Sequence, residues 1–326
     1  MDLNGQWPGA VATTLAFASE DTIAIARYPG ADTVSRVIIT IDWRNGKLQP
    51  LKSRSLPIYG GGGRFENLYG ISNGNILSDV TPHPELWSRD LRMLEEVPIG
   101  VLHPPAPQSG MAAEWVSFKQ WNLYRLGPPA AFVRSGPGEI LSASNDFIAA
   151  RGDNDLRIEN AISGVVIGSF RIKPRSVCQQ WATILGRDRL MLTECNGARV
   201  VDFHGKERIN VPRGDGWGFR YGVSIDGSRV LFENFTRRIP TSQRISEFFE
   251  SIVSLGMGPP VNSKGEEIQV VDTKTGAICF DLDSPDRQFG NAGETHADLS
   301  PSGRYVAVVD GSELRVYSLP ASCATR

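Results

Sequence analysis

The sequence lacks the features that would place it in a membrane or on nucleic acid. No apolar run approaches the roughly 18 residues needed to cross a bilayer, and residues 1–8 have neither the basic nor the apolar segment of a signal peptide. Lysine plus arginine total 34 against 36 acidic residues, a formal net charge of −2, whereas phosphate backbones attract proteins with a basic excess. We therefore expect a soluble, monomeric, cytoplasmic protein without general nucleic-acid binding, or a periplasmic or secreted one if a signal peptide has been removed.

Motifs for metal binding, covalent catalysis and phosphate binding are also missing. No histidine or cysteine pair has the spacing of metal ligands, and there is no Gly-x-Ser-x-Gly nucleophile motif. The glycine run at 60–63 is followed neither by Gly-Lys-Ser/Thr nor by a helical pattern. The sequence therefore identifies no catalytic residue, no metal ligand and no cofactor. The scattered histidines are His83, His103, His204 and His296.

Glycine and proline, in contrast, are plentiful, with 34 and 21 residues, which indicates many turns. The clearest pattern lies near the C-terminus, where short runs at 296–300, 304–309 and 314–319 are separated by turn residues. Short alternating runs between turns predict antiparallel strands joined as hairpins. The same pattern recurs upstream, at 181–192 and 221–232.

A second turn type follows the third predicted strand of several repeats. In it an aspartate or asparagine precedes a glycine by three or four residues. The Asp or Asn side chain accepts hydrogen bonds from the backbone of the turn, and glycine adopts the positive φ that closes it. Because another extended run follows each of these turns, we predict four antiparallel strands per repeat. The turns lie at 42–46, 160–164, 202–205 and 272–276.

The spacing of the first turn in each repeat predicts the number of repeats. These turns lie near residues 20, 73, 145, 187, 227 and 302, and a further turn at 109–110 divides the longest uninterrupted gap. An interval of about 40 residues is typical of one four-stranded blade of a β-propeller. We predict an all-β protein in which residues 1–326 form a single seven-bladed propeller, or a six-bladed one if 97–136 is not a blade.

The repeats resemble those of the WD40-like propeller family, in particular its bacterial relatives. The resemblance is carried by the residues at 270–276, 299–308 and 314–317. The Gly-His and Trp-Asp pairs of the eukaryotic pattern are absent from the sequence, so no particular subfamily is indicated. The resemblance implies a propeller that presents its faces to a protein or peptide partner.

A closed ring requires one blade that takes strands from both ends of the chain. The last predicted repeat contains only three strands, and few residues follow 319. We therefore predict that the N-terminal segment around residues 3–6 supplies the fourth strand.

The cysteines permit two pairs. Cys178 and Cys195 flank the predicted hairpin at 181–192, and Cys279 and Cys323 lie on adjacent predicted blades. Two disulfides would indicate an oxidising compartment. Because four cysteines in 326 residues is ordinary for a cytosolic protein, we expect free thiols.

The segment 237–263 interrupts the sixth predicted blade between its second and third strands. Its apolar residues recur at the spacing of an amphipathic helix, and such a helix either packs on its own blade or docks a partner. For the second alternative the candidate partner-binding residues are Arg237, Arg238, Ile245, Phe248, Phe249 and Ile252.

Three functions remain open at this point. The first is a non-enzymatic scaffold that binds a protein or peptide, which rests on analogy with the fold. The second is an enzyme of the lyase, hydrolase or lactonase type with an active site in the central channel. The third is a propeller that binds a sugar or small ligand through exposed aromatic residues such as Trp115, Trp121 and Trp217.

Overall fold

The protein is an all-β, seven-bladed propeller of antiparallel sheets. This computed structural model describes residues 1, 10–29, 35–44, 47–57, 67–79, 83–173, 181–194, 197–212, 221–234, 266–284, 295–310 and 313–323. Within these residues the only helical element is a 3₁₀ turn, Ser72–Gly74, and none is long and apolar enough to cross a membrane.

In every blade the strands follow one another in sequence order, and each pairs with the next. The strands of blades 1 to 3 are β1 (Ala10–Ser19), β2 (Thr22–Pro29), β3 (Ser35–Arg44), β4 (Lys47–Pro57), β5 (Asn67–Ile71), β6 (Asn75–Asp79), β7 (Glu85–Trp87), β8 (Met93–Glu96), β9 (Leu102–His103), β10 (Met111–Ser117), β11 (Gln120–Arg125) and β12 (Ala131–Pro137). Those of blades 4 to 7 are β13 (Glu139–Ala143), β14 (Phe147–Arg151), β15 (Asp155–Asn160), β16 (Val166–Arg171), β17 (Trp181–Leu185), β18 (Arg189–Glu194), β19 (Gly197–Asp202), β20 (Glu207–Pro212), β21 (Tyr221–Val223), β22 (Arg229–Asn234), β23 (Glu266–Asp272), β24 (Ile278–Ser284), β25 (Thr295–Leu299), β26 (Tyr305–Asp310) and β27 (Glu313–Ser318).

The blade predicted within 97–136 is real. Strands β9 to β12 form a four-stranded sheet, and the turn predicted at 109–110 lies between the first and second of them. The prediction of seven blades is therefore confirmed, and the six-bladed alternative is wrong.

The predicted Asp–Gly turns have the expected geometry. In the turn after β23, Asp272 Oδ1 accepts hydrogen bonds from the backbone N–H groups of Lys274 and Thr275, both at 2.9 Å. Gly276 closes this turn with a φ of +73°, a backbone conformation that residues with a Cβ atom rarely adopt. The turns after β15 and β19 repeat the arrangement, because Asn160 and Asp202 also accept backbone hydrogen bonds through Oδ1.

The hydrophobic core is divided among the interfaces between blades. Each of the seven interfaces in the described ring has its own cluster of buried apolar side chains. The cluster between the last blade and the first contains Phe17, Ile39, Val309 and Leu314. Since burial of such side chains is the main favourable term in folding, the closing interface is stabilised in the same way as the other six.

The first residue of the chain pairs with the last blade. Met1 N donates a hydrogen bond to Leu314 O at 2.8 Å, and Leu314 N donates to Met1 O at 2.9 Å. Leu314 belongs to β27, the third strand of blade 7, so Met1 occupies the position of a fourth strand. Residues 3–6 lie outside the described residues, and their strand remains a prediction.

One cysteine pair is bonded, which corrects the expectation of free thiols. Cys279 of β24 forms a disulfide with Cys323, with 4.8 Å between the Cα atoms. The segment after β27 lies against blade 6, where the Arg229 guanidinium of β22 donates hydrogen bonds to the carbonyls of Pro320 and Ala321. Neither Cys178 nor Cys195 is among the described residues.

The position of the 237–263 segment agrees with the sequence. Strands β22 and β23 flank it and are hydrogen-bonded neighbours in blade 6, so it enters between the second and third strands. Residues 235–265 are not described, and the amphipathic helix therefore remains a prediction.

Deletion of residues 1–10 should lower the melting temperature sharply, because blade 7 loses the chain that pairs with β27 and an open strand edge is left. Calorimetry would measure the change. A variant without residues 324–326 serves as the control, and an unchanged melting temperature in the N-terminal deletion would contradict the predicted strap.

Replacement of Cys279 by Ser should destabilise the oxidised protein by about 4 kcal/mol in the chain-entropy model, because the closed loop spans 44 residues. Urea denaturation would measure the loss, and reduction of the wild type should reproduce it.

Mass spectrometry without reductant should find a peptide that links Cys279 to Cys323. Alkylation of both residues before reduction would show that the bond is not formed.

Candidate functional site

The antiparallel strand order gives the ring two distinct faces. The connections from first to second strand and from third to fourth strand lie on one face, which we call the ab–cd face. The connections from second to third strand and from one blade to the next lie on the opposite bc–da face. The Asp–Gly turns are on the ab–cd face, and the 237–263 segment leaves blade 6 on the bc–da face.

A cavity of about 640 Å³ occupies the centre of the ring. Residues from the first strand of every blade line it, which identifies these strands as the innermost ones and the cavity as part of the central channel. Its volume falls within the range of small-molecule pockets.

A proline-rich segment narrows this channel at the ab–cd face. Strand β9 contains only two residues, and the chain then runs through 104–108 as an extended plug. Ala106 N donates to Ala143 O of blade 4 at 3.0 Å. Gln108 N donates to Gly70 O of blade 2 at 2.9 Å, and Gln108 Nε2 donates to Ala18 O of blade 1 at 3.0 Å. The prolines of this segment carry no N–H that would need a partner.

Short polar side chains connect the innermost strands around the channel. Thr14 Oγ1 of blade 1 accepts a hydrogen bond from Leu68 N of blade 2 at 3.4 Å. Ser142 Oγ of blade 4 accepts one from Ile184 N of blade 5 at 3.1 Å. In each pair an inner-strand side chain satisfies an N–H of the following blade.

The same contact closes the ring. Asp298 Oδ2 of blade 7 accepts a hydrogen bond from Phe17 N of blade 1 at 2.7 Å. On the ab–cd face nearby, Glu20 Oε2 accepts one from Ser302 N at 2.9 Å. Asp298 and Phe17 therefore both line the channel and close the ring.

Few charged side chains occur among the described residues that line the channel. Burial raises the pKa of Asp298 to about 7, although hydrogen bonds from Phe17 N and Leu299 N act in the opposite direction. Burial also lowers the pKa of His103 to about 4, partly offset by its hydrogen bond to Pro104 O. No lysine or arginine occurs among the described residues that line the cavity. Asp298 can thus exchange a proton near neutral pH, and His103 is uncharged there.

The histidines do not form a metal site in the described part of the chain. His296 lies on β25 and lines the cavity, as its place in a first strand predicts, and His103 joins it from β9. His204 lies in the turn after β19, also as predicted. Among the described residues no three His, Cys, Asp or Glu side chains are grouped as metal ligands would be.

The structure brings none of the six candidate partner-binding residues into a site. Arg237, Arg238, Ile245, Phe248, Phe249 and Ile252 all lie outside the described residues. Their role remains a prediction.

The proposed sugar-binding tryptophans are corrected in part. Trp121 is 0% exposed, and the Arg134 guanidinium carbon lies 4.7 Å from its ring centre. It packs within the core between blades 3 and 4 and cannot meet a ligand. Trp115 is half-buried, and Trp217 is not described.

Sequence reasoning missed Trp181, which is the first residue of β17, is 39% exposed and lines the cavity. The place of Trp181 at the start of a first strand was the available signal, because the first strands surround the channel. The proline cluster at 104–107 was the signal for the plug, since proline is unsuited to a central strand.

An exposed apolar group, here called the blade-3 patch, lies on the bc–da face. It consists of Val101, Val116 and Phe118, which are 53%, 45% and 54% exposed, together with the half-buried Trp115. Trp115 N donates to Val101 O at 2.9 Å, and its ring meets Phe118 edge-on with 5.2 Å between centroids. These contacts hold the patch together across two connections of the blade.

The fold is similar to that of solved structures that include a β-propeller domain and a WD40 domain. Chaetomium thermophilum Raptor matches with a TM-score of 0.61 and 12% identity, over 98% of this chain and 29% of Raptor. The Cps50 (Swd1) β-propeller domain of Myceliophteria thermophila gives a TM-score of 0.56 and 13% identity, over 95% of this chain and 98% of that domain. The C-terminal WD40 domain of Sif2 gives 0.52 and 12%, over 96% and 97%.

These likenesses support the architecture alone. Identities of 12–13% carry no information on ligands. The chain spans less than a third of the length of Raptor. No protein-family model and no curated protein sequence matches the chain.

Asp298 should make the stability pH-dependent. Its pKa rises from the ordinary 3.8 to about 7 in the fold, so between these values the folded protein binds more protons than the unfolded chain. The contribution of Asp298 to stability therefore falls as the pH rises from about 4 to about 7, and the loss is complete above 7.

The Asp298→Asn variant cannot ionise, so its free energy of unfolding relative to the wild type should increase across this pH range. Urea denaturation at a series of pH values would measure it. His103 has the opposite pH dependence but is present in both proteins. Asp188→Asn, which removes a carboxylate whose side chain is 77% exposed, is the control. A difference that does not change with pH would contradict the assignment.

Proposed function

We propose that the protein is a bacterial WD40-like propeller that acts as a non-enzymatic scaffold and binds a protein or peptide through its bc–da face. The observation that carries this proposal is the blade-3 patch. Contiguous exposed apolar side chains on a folded protein are typical of interaction sites. The aromatic residues Trp115 and Phe118 are of the type that dominates binding energy at protein interfaces.

The 237–263 segment extends this surface in the proposal. It leaves blade 6 on the same face as the blade-3 patch, so both can contact one partner. Its predicted apolar residues Phe248 and Phe249 would add area, and Arg237 and Arg238 would favour an acidic group on the partner.

The residues that line the channel give little support to the hypothesis of an active site there. Asp298 has a shifted pKa and lines the cavity, but its described hydrogen bonds come from the backbone N–H groups of Phe17 and Leu299. Such bonds are those of a structural carboxyl group. We therefore keep the scaffold as the proposed function.

The disulfide between Cys279 and Cys323 supports a proposal on location. Structural disulfides persist mainly in oxidising compartments. We therefore propose the periplasmic or secreted alternative in place of the cytoplasmic one.

Phe118→Ser should weaken partner binding at least about tenfold, because loss of a packed aromatic anchor costs 2 kcal/mol or more at a hot spot. Phe132→Ser is a matched control. Phe132 belongs to the same blade and is 58% exposed, but it lies at the start of β12, next to the ab–cd face. Affinity purification with quantitative mass spectrometry would compare the two variants. Equal loss of the partner in both would contradict binding through the bc–da face.

Replacement of both Phe248 and Phe249 by Ser should abolish capture of the same partner while the melting temperature stays unchanged, because the segment carries the apolar contacts and not the ring. Persistence of binding would show that the 237–263 segment is not part of the interface. Loss of binding together with a lower melting temperature would show that the segment packs on its own blade.

A further inference from the structure

The cavity presents two similar sets of side chains on opposite sides of the ring. Asn67 and Tyr69 lie two residues apart on β5 of blade 2, and Trp181 and Thr183 lie two residues apart on β17 of blade 5. All four residues line the cavity. Because residues two apart on a strand point to the same side, each strand offers one aromatic ring beside one hydrogen-bonding group. Blades 2 and 5 are three positions apart in a ring of seven, so the two sets face each other.

Several polar groups of the lining retain hydrogen-bonding capacity. The hydroxyl oxygens of Thr14 and Ser142 accept backbone N–H groups, which leaves each O–H proton for another acceptor. Within the described part of the structure, the side chains of Asn67 and Thr183 have no hydrogen-bond partner. A purely apolar ligand would leave these groups unsatisfied, at a cost of about 1–3 kcal/mol each.

Charge excludes most other ligand classes. An anion would find no lysine or arginine among the described lining residues, and His103, one of the two lining histidines, is neutral near pH 7 because its pKa is about 4. A cation would meet Asp298, but burial holds the pKa of this carboxyl at about 7, so much of its charge is absent at neutral pH. The lining therefore suits an uncharged ligand that both donates and accepts hydrogen bonds.

A sugar combines these properties. Its hydroxyl groups donate and accept as the channel residues do, and the apolar face of its ring packs against aromatic side chains such as Trp181 and Tyr69. We propose that the central cavity is a binding site for an uncharged sugar of mono- or disaccharide size, which lies between the side chains of blades 2 and 5. This site is separate from the blade-3 patch and does not depend on the scaffold function.

Saturation-transfer NMR and calorimetry on the full chain would test the proposal. The probes are glucose, galactose, N-acetylglucosamine and cellobiose, with glucosamine and glucuronate as positively and negatively charged counterparts. At least one uncharged probe should bind with millimolar or better affinity. Its charged counterpart should bind more weakly at neutral pH. Failure of all four uncharged probes to bind, or equal binding of the charged ones, would overturn the proposal.

Two variants locate the site. Trp181→Ala should weaken binding of the best probe about tenfold through loss of the aromatic contact. Phe132→Ala, which removes an exposed aromatic side chain outside the cavity lining, should leave it unchanged. Thr183→Val keeps the shape of the side chain but removes the hydroxyl, and it should also weaken binding. Full affinity in Trp181→Ala, or equal losses in Trp181→Ala and Phe132→Ala, would overturn the proposal, whatever the outcome for protein partners.

Discussion

The ring depends on how the inner edge of each blade is satisfied. The first strand of a blade has a neighbour on one side only, and its other edge presents backbone N–H groups to the channel, where an unpaired group is costly. Side chains of the preceding blade accept three of these donors, at Leu68, Ile184 and Phe17. Because the acceptors are Thr14, Ser142 and Asp298, the need for hydrogen bonds also makes the channel polar. Stability and the chemistry of the cavity therefore arise from the same residues.

Apolar packing between blades stabilises the ring, while polar contacts and the disulfide determine where it closes. All seven interfaces bury apolar side chains, including the one between the last and first blades. At that interface Asp298 bonds to Phe17, and Met1 pairs with Leu314. At the neighbouring interface Cys279 is bonded to Cys323. The two ends of the chain are thus held by three kinds of interaction at neighbouring positions.

Turn chemistry made the fold predictable from the sequence, because it is local. The turn at 109–110 and the hydrogen bonds of Asp272 follow from residues adjacent in the chain, and the spacing of the turns predicted seven blades with six as the alternative. Features that depend on contacts between blades were not predictable. Trp121 is buried because it packs in the core between blades 3 and 4, and Cys323 reaches Cys279 where Arg229 of blade 6 binds the returning chain at Pro320. The exposure of Trp181 in the channel likewise depends on the ring.

The plug has a consequence for the rates at which ligands exchange. By narrowing the ab–cd end of the channel, residues 104–108 restrict the exchange of molecules between the cavity and that face. The opposite bc–da face carries the blade-3 patch. A macromolecule bound to that face would slow the escape of a small molecule from the cavity without contacting the small molecule. The residence time of the small molecule would therefore report on the presence of the macromolecule.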